Sequence, residues 1–129
     1  MSCVFCLINE GKIPAKKVFE NENVVAFLDI SQATYGHTLV LPKKHYENII
    51  DIPTDLYLEV MQVVKQLTPK LLLKLGTNSC NILNNCGTFA GQTVNHFHVH
   101  IIPRYENDDL KIEFTEHQEN LDEILEKFN

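Results

Sequence analysis

The chain has 129 residues, 44% of them hydrophobic, and a formal charge of −6. That length fits one domain with a core large enough to need no disulfide framework, and an acidic balance without a basic stripe excludes a general nucleic-acid footprint. No apolar run approaches the roughly 18 residues of a membrane span, and the start Met-Ser-Cys-Val-Phe-Cys lacks the pattern of a secretory signal, so the expected location is cytoplasmic, with reduced thiols.

Val4 to Asn9 reads as a short helix or turn closed by Gly11. Lys17–Glu20 and Val24–Leu28 read as strands around an Asn-Glu-Asn turn. Thr38–Leu41 reads as a third strand ended by Pro42, and Tyr46 to Ile50 as one helical turn. Pro53-Thr-Asp starts a helix with Thr54 or Asp55 as cap. Leu56, Val60, Val63, Val64, Leu67, Leu71 and Leu75 carry its helical spacing to Gly76, and Pro69 should kink or split it. Asn81–Leu83 reads as a fourth strand, Cys86 to Gly91 as a small-residue loop, and Val94–Ile102 as a fifth strand. Leu121, Ile124, Leu125 and Phe128 suggest a C-terminal amphipathic helix within an acidic stretch. The elements predict a single α+β domain over residues 1–129 with a mainly antiparallel sheet.

His96, His98 and His100 alternate with Phe97, Val99 and Ile101. On a strand the three imidazoles would share one face, about 6.6–6.8 Å apart, with the apolar residues on the other. Such a row supplies either metal ligands or a nucleophile with supporting donors; a solvated edge strand is the bland alternative. Cys3-Val-Phe-Cys6 has the spacing of half a zinc site, with free thiols or a redox pair as alternatives.

The run His96-Phe-His-Val-His-Ile-Ile102 resembles the histidine-triad motif, and upstream pieces match in order: Cys3-Val-Phe-Cys6, Ile13-Pro-Ala-Lys16, Phe27-Leu-Asp-Ile30, Gly36 to His45, Asn85, and Gly91-Gln-Thr-Val94. The chain thus resembles the histidine triad (HIT) superfamily, in the zinc-carrying form of its Hint-like branch. The match covers about Cys3 to Arg104; residues 105–129 form a C-terminal extension with no matching motif, expected to be partly helical. The resemblance implies a HIT-like fold: a five-stranded, mainly antiparallel sheet per subunit, one long helix and short flanking helices. Homodimers joining two such sheets are implied as well.

By resemblance the chain is a nucleotide-binding hydrolase of purine nucleoside phosphoramidates, acting through a nucleotidyl-histidine. Covalent attack at an α-phosphate needs a nucleophile that is uncharged near neutral pH, and a neutral imidazole qualifies. The family pattern makes His98 that nucleophile, oriented by a backbone carbonyl of its own strand. His100 would donate to a phosphate oxygen or the leaving group, and His37 would support the network. Asn85, Gly91, Gln92 and Thr93 are expected at the phosphate, Asp29 at the ribose hydroxyls, and Phe27 and Ile30 beside the base. For each, a plain turn, cap or core role is the competing reading. Cys3, Cys6, His45 and His96 are the implied ligands of a structural Zn2+, four protein donors leaving no open position.

The chain departs from the family at Tyr35, where a small residue or proline is common, and after Ile102, where Pro103-Arg-Tyr105 replaces a glycine-rich tail. Arg104 is equally a phosphate contact or a surface residue on sequence grounds. Asn95 needs a polar partner or solvent. Dinucleoside polyphosphate hydrolysis and a nucleotide-binding scaffold dimer are the rival functions.

Overall fold

The computed structural model describes residues 3–129. Helix α1 (Val4–Asn9) precedes strands β1 (Lys17–Glu20), β2 (Val24–Leu28) and β3 (Thr38–Pro42). The long helix α2 (Thr54–Leu75) follows, then β4 (Ser79–Leu83), a 3-10 turn at Thr88–Ala90, β5 (Val99–Arg104) and α3 (Leu121–Glu126). The five strands form one sheet in the order β1-β2-β3-β5-β4, every neighbouring pair antiparallel. The architecture is the expected α+β one.

Alternation along the central strands divides the core between the two faces. Val24, Ala26, Val40, Phe97, Val99 and Ile101 meet Val60, Val63, Val64 and Leu67 of α2. Val25, Phe27, Leu39 and Leu41 point the other way, onto Phe5 and Ile8 of α1. Burying each large apolar side chain contributes about 1.5–3 kcal/mol. That sum explains why Pro69 does not divide α2. Proline within a helix costs about 3 kcal/mol, yet the helix runs 22 residues through it. Thr68 at the same turn donates its hydroxyl to the Val64 carbonyl at 2.7 Å.

Some sequence expectations shift. Neither Thr54 nor Asp55 caps α2; the cap is Pro53, without a side-chain bond, and the Asp55 carboxylate accepts from Leu56 N–H instead. Tyr46 to Ile50 is not a helical turn, because the Asp51 carboxylate takes the N–H groups of Glu47 and Asn48. The fourth strand starts earlier, at Ser79, by pairing with Arg104.

The fifth strand begins at Val99 rather than Val94. Ahead of it the chain bends, since Phe97 N–H donates to the Tyr46 carbonyl at 2.6 Å and the His96 ring donates to the Pro42 carbonyl at 2.8 Å. The alternation of side chains survives the bend. Phe97 lies against α2, and His96 and His98 lie against Phe5. Asn95 is exposed, so solvent satisfies it.

Beyond β5, Arg104 grips Asp108 with Nε and Nη2 at 3.0 and 3.1 Å and also donates to the Leu110 carbonyl at 2.6 Å. These bonds from Arg104, and then the Tyr105 N–H, hold the Asp108 carboxyl down at about 2. The remaining chain is exposed and ends in α3, whose Asn120 cap accepts from Glu123 N–H. Among the described residues, no helix is long and apolar enough to cross a membrane.

Candidate active site and metal centre

Cys3, Cys6, His45 and His96 converge from three separate stretches of chain, their donor atoms all within 4.8 Å of one another. The two His Nδ1 atoms are 3.2 Å apart. The Cys6 sulfur lies 3.4 Å from His45 Nδ1 and 3.5 Å from His96 Nδ1, and the Cys3 sulfur 3.5 Å from His96 Nδ1. Zinc bonded tetrahedrally at about 2.3 Å to sulfur and about 2.0–2.1 Å to nitrogen sets ligand separations of about 3.3–3.8 Å. The cluster has that size. His96 Nε2–H donates to Pro42 O, which keeps a lone pair on Nδ1 facing the thiols, as metal-ligating histidines require. Burial, more than the neighbouring imidazoles, pushes His96 down to about 4, so the ring is neutral. Burial first, then a bond with Cys3, raises the Cys6 thiol to about 11, a cost that a bound cation would reverse.

The other two triad histidines lie beside this cluster. His98 Nδ1 is 2.6 Å from the backbone carbonyl of His96. A carbonyl only accepts, so Nδ1 carries the proton and Nε2 holds the lone pair. His37 closes a second chain of hydrogen bonds. Ala33 N–H donates to His37 Nδ1 at 3.1 Å, and His37 Nε2 is 2.9 Å from His100 Nδ1. Since His37 Nδ1 is accepting, its proton sits on Nε2 and points to His100 Nδ1. The His100 proton is then on Nε2, at the outer end of the chain.

Asp29 stands 3.7 Å from His37 Nε2, and Asp29, His37 and His100 also cluster closely enough to suggest a metal. The tautomer of His37 argues otherwise, because its Nε2 is already protonated. Burial lowers the pKa of His37 against the opposing charge of Asp29, and lowers those of His98 and His100, the last to about 4.

His98 and His100 line a cavity of about 400 Å³ together with Phe27, Asp29, Ile30, Thr93, Val94 and the α1 residues Phe5 and Ile8. Phe27 is nearly all buried, whereas Ile30 stands fully exposed at the rim. Asn85, Gly91 and Gln92 do not line this cavity; they form the adjoining loop. Gly91 has φ +90°, and a Cβ there would come within 3.8 Å of the Asn85 amide. The Gln92 amide is committed to the backbone, accepting from Gly87 N–H at 2.8 Å and donating to the carbonyls of Glu47 and Val94. It therefore shapes the loop. Arg104 lies at the far end of β5, beside a larger open cleft of about 650 Å³ that contains none of the expected site residues.

Sequence reasoning missed three contributors. Asn84 donates to the His98 carbonyl at 2.8 Å, where the β4–β5 ladder has ended. Phe5 packs edge-on against His98, His96 and Phe27, with ring centroids 5.0, 5.8 and 5.6 Å away. Its place between Cys3 and Cys6 was the available signal. Gln32 is the third, and no local pattern marks it.

Comparison with known proteins agrees with this geometry. An uncharacterized HIT-like protein of Methanocaldococcus jannaschii is 51% identical over 97% of this chain and 97% of its own. An adenosine 5'-monophosphoramidase of Candida albicans is 39% identical over 80% of this chain and 70% of its own. The crystal structure of a Zn-bound histidine triad family protein from Mycobacterium smegmatis superposes with a TM-score of 0.81 at 39% identity, covering 86% of this chain and 81% of that one. A family model described as the HIT domain matches residues 10–107. With the triad, its supporting histidine and the Cys/His cluster all in place on the shared fold, the chain belongs to the HIT family.

Proposed function

We propose that the protein hydrolyses purine nucleoside phosphoramidates, such as adenosine 5'-phosphoramidate, through a nucleotidyl-His98 intermediate. The observation that carries this reading is the 2.6 Å bond from His98 Nδ1–H to the His96 carbonyl. It leaves Nε2 as the free lone pair of a neutral ring that lines the cavity. Nε2 attacks the α-phosphorus, an N–P bond forms, and the bond to the leaving nitrogen breaks as that nitrogen takes a proton from the His100 Nε2–H or from solvent and departs as the amine. Water then cleaves the N–P bond and restores the imidazole. His100 Nε2–H hydrogen-bonds to a phosphate oxygen or the leaving group, held in that tautomer by His37. Asp29 accepts the ribose hydroxyls, Phe27 and Ile30 flank the base, and Thr93 with the Asn85–Gly91–Gln92 loop faces the phosphate. The monophosphoramidase named among the relatives supports this substrate class.

Cys3, Cys6, His45 and His96 would hold a structural Zn2+. Four protein donors would leave it no open position, so its contribution there would be to tie α1 to the sheet rather than to take part in bond breaking. The working unit is a homodimer. Strand β4 is a free sheet edge with Ile82 and Leu83 exposed, and such edges call for a cover.

The test is steady-state hydrolysis of adenosine 5'-phosphoramidate by wild type and by His98→Ala, with folding checked for both. Turnover lost in the mutant supports the reading. A well-folded wild type that turns over diadenosine polyphosphate and not the phosphoramidate would replace it.

A further inference from the structure

The segment Asp29–His37 carries two of the site's groups at its ends, the Asp29 carboxylate and the His37 imidazole. It is irregular, and its ends are joined by Asp29 N–H donating to the His37 carbonyl at 3.0 Å. The Gln32 side chain folds back into the middle of it. Gln32 Nε2 donates to the Asp29 carbonyl at 2.6 Å and the His37 carbonyl at 2.8 Å. Gln32 Oε1 accepts from Gly36 N–H at 2.7 Å and His37 N–H at 3.1 Å. A primary amide has two N–H donors and two acceptor lone pairs, and all four are used here. The bonds go to both ends of the same loop. Asp29 and His37, already joined by their own backbone bond at the end of the β2–β3 ladder, are braced a second time by one amide group.

We propose that Gln32 is a positioning residue for the site, setting Asp29 against the ribose and His37 against His100. The inference rests on the nucleotide reading above, and it names which residue gives that reading its ribose and tautomer selectivity. Gln32 does not line the cavity that holds His98 and His100. It acts through backbone carbonyls and N–H groups that fix where the neighbouring side chains start. The position of His37 decides whether Ala33 N–H reaches its Nδ1, and therefore which nitrogen of His37 holds the proton.

The experiment compares wild type, Gln32→Met and Gln32→Glu. Methionine keeps the length of the side chain and removes all four bonds. Glutamate keeps both accepting contacts and sets a carboxylate against the carbonyls of Asp29 and His37. Histidine ¹⁵N NMR reads the tautomer of His37, and binding of AMP and 2'-deoxy-AMP reads the grip on the ribose. Wild type is expected to show His37 protonated on Nε2 alone and to prefer AMP. Both variants are expected to show mixed His37 tautomers and to lose about fivefold in the AMP:deoxy-AMP ratio, the scale of one neutral hydrogen bond. Metal content should be unchanged. An unaltered tautomer and ratio, with only a lower Tm, would overturn the proposal and leave Gln32 as a loop brace. Should Gln32→Met fail to fold, Gln32→Glu carries the same comparison. Neither readout needs turnover, so a wild type inert toward phosphoramidates but showing the tautomer change would refute the substrate class and uphold the role of Gln32.

Discussion

His96 and His98 are joined by one hydrogen bond that links two chemistries: the ring of His96 belongs to the Cys/His cluster, and its carbonyl orients the ring of His98. The carbonyl keeps its place through the backbone, tied by Phe97 N–H to Tyr46 and by the His96 ring to Pro42. Loss of a thiol should therefore be felt as stability more than as chemistry. Cys3→Ser is expected to lower zinc content and Tm while turnover stays within a few-fold of wild type. Metal analysis, a thermal melt and an initial-rate assay check it, and a large rate loss at full zinc content would contradict it.

Acid should weaken the fold before it reaches the ordinary carboxylate range. An unfolded histidine takes up its proton near pH 6.5, whereas folded His100 does so at about 4, chiefly through burial, with His98 and His37 adding to the effect. Between those values the unfolded chain binds more protons, so stability rises with pH there and is lost as pH falls. Tm is expected to be flat above pH 6.5 and to drop progressively toward pH 4. His100→Gln should make that slope shallower. A slope unchanged in the mutant would assign it to other groups.

Gly36 is expected to be intolerant of any side chain. Its φ is +92°, and a Cβ there would stand 2.4 Å from Cδ1 of Leu75. Leu75 can rotate away, but the backbone conformation cannot be relieved so easily, and a strained residue of this kind costs about 1–3 kcal/mol. Gly36→Ala should lower Tm accordingly. Adding Leu75→Ala should recover none of the backbone part; full recovery in the double mutant would show that the clash alone was responsible.

Ile82→Lys places a charge on the exposed edge strand, a device that blocks edge pairing. If the proposed homodimer forms through β4, light scattering or analytical ultracentrifugation is expected to show a dimer for wild type and a monomer for the variant. Metal content should be retained, because Ile82 is remote from the ligand set. A dimer that persists would move the interface away from β4.

Much of the site was legible because it is written in short, spaced motifs. The alternation of His96, His98 and His100 with apolar residues survives even where the strand does not, since Phe97 is claimed by the α2-side core whatever the backbone hydrogen bonds do. The start of β5 was not legible. It depends on the Tyr46 carbonyl and the His96 ring meeting groups fifty residues away, and no local pattern encodes that. Nothing in the Gly91-Gln-Thr93 motif showed that the Gln92 amide is spent on three backbone partners, which bind the loop to itself and to Glu47. Gln32 and Asn84 act by side-chain to backbone bonds in loops, which sequence periodicity does not report. Pro69 does not split α2, because the rule about proline weighs a local cost and the burial of α2 on the sheet outweighs it.

Phe5 gives the molecule an order of disassembly. The ladders of the sheet begin at Lys17, so the segment ahead of them is fastened by its thiols and by Phe5 and Ile8. That same segment is one wall of the cavity and the surface against which the His98 ring rests. Losing the hold of the thiols would loosen this wall first, leaving it to Phe5, Ile8 and the Asn9 amide bond to the Lys43 carbonyl, while the sheet stays behind. Such a protein would still look folded to a circular dichroism spectrometer, and would meet its ligand with a softened wall.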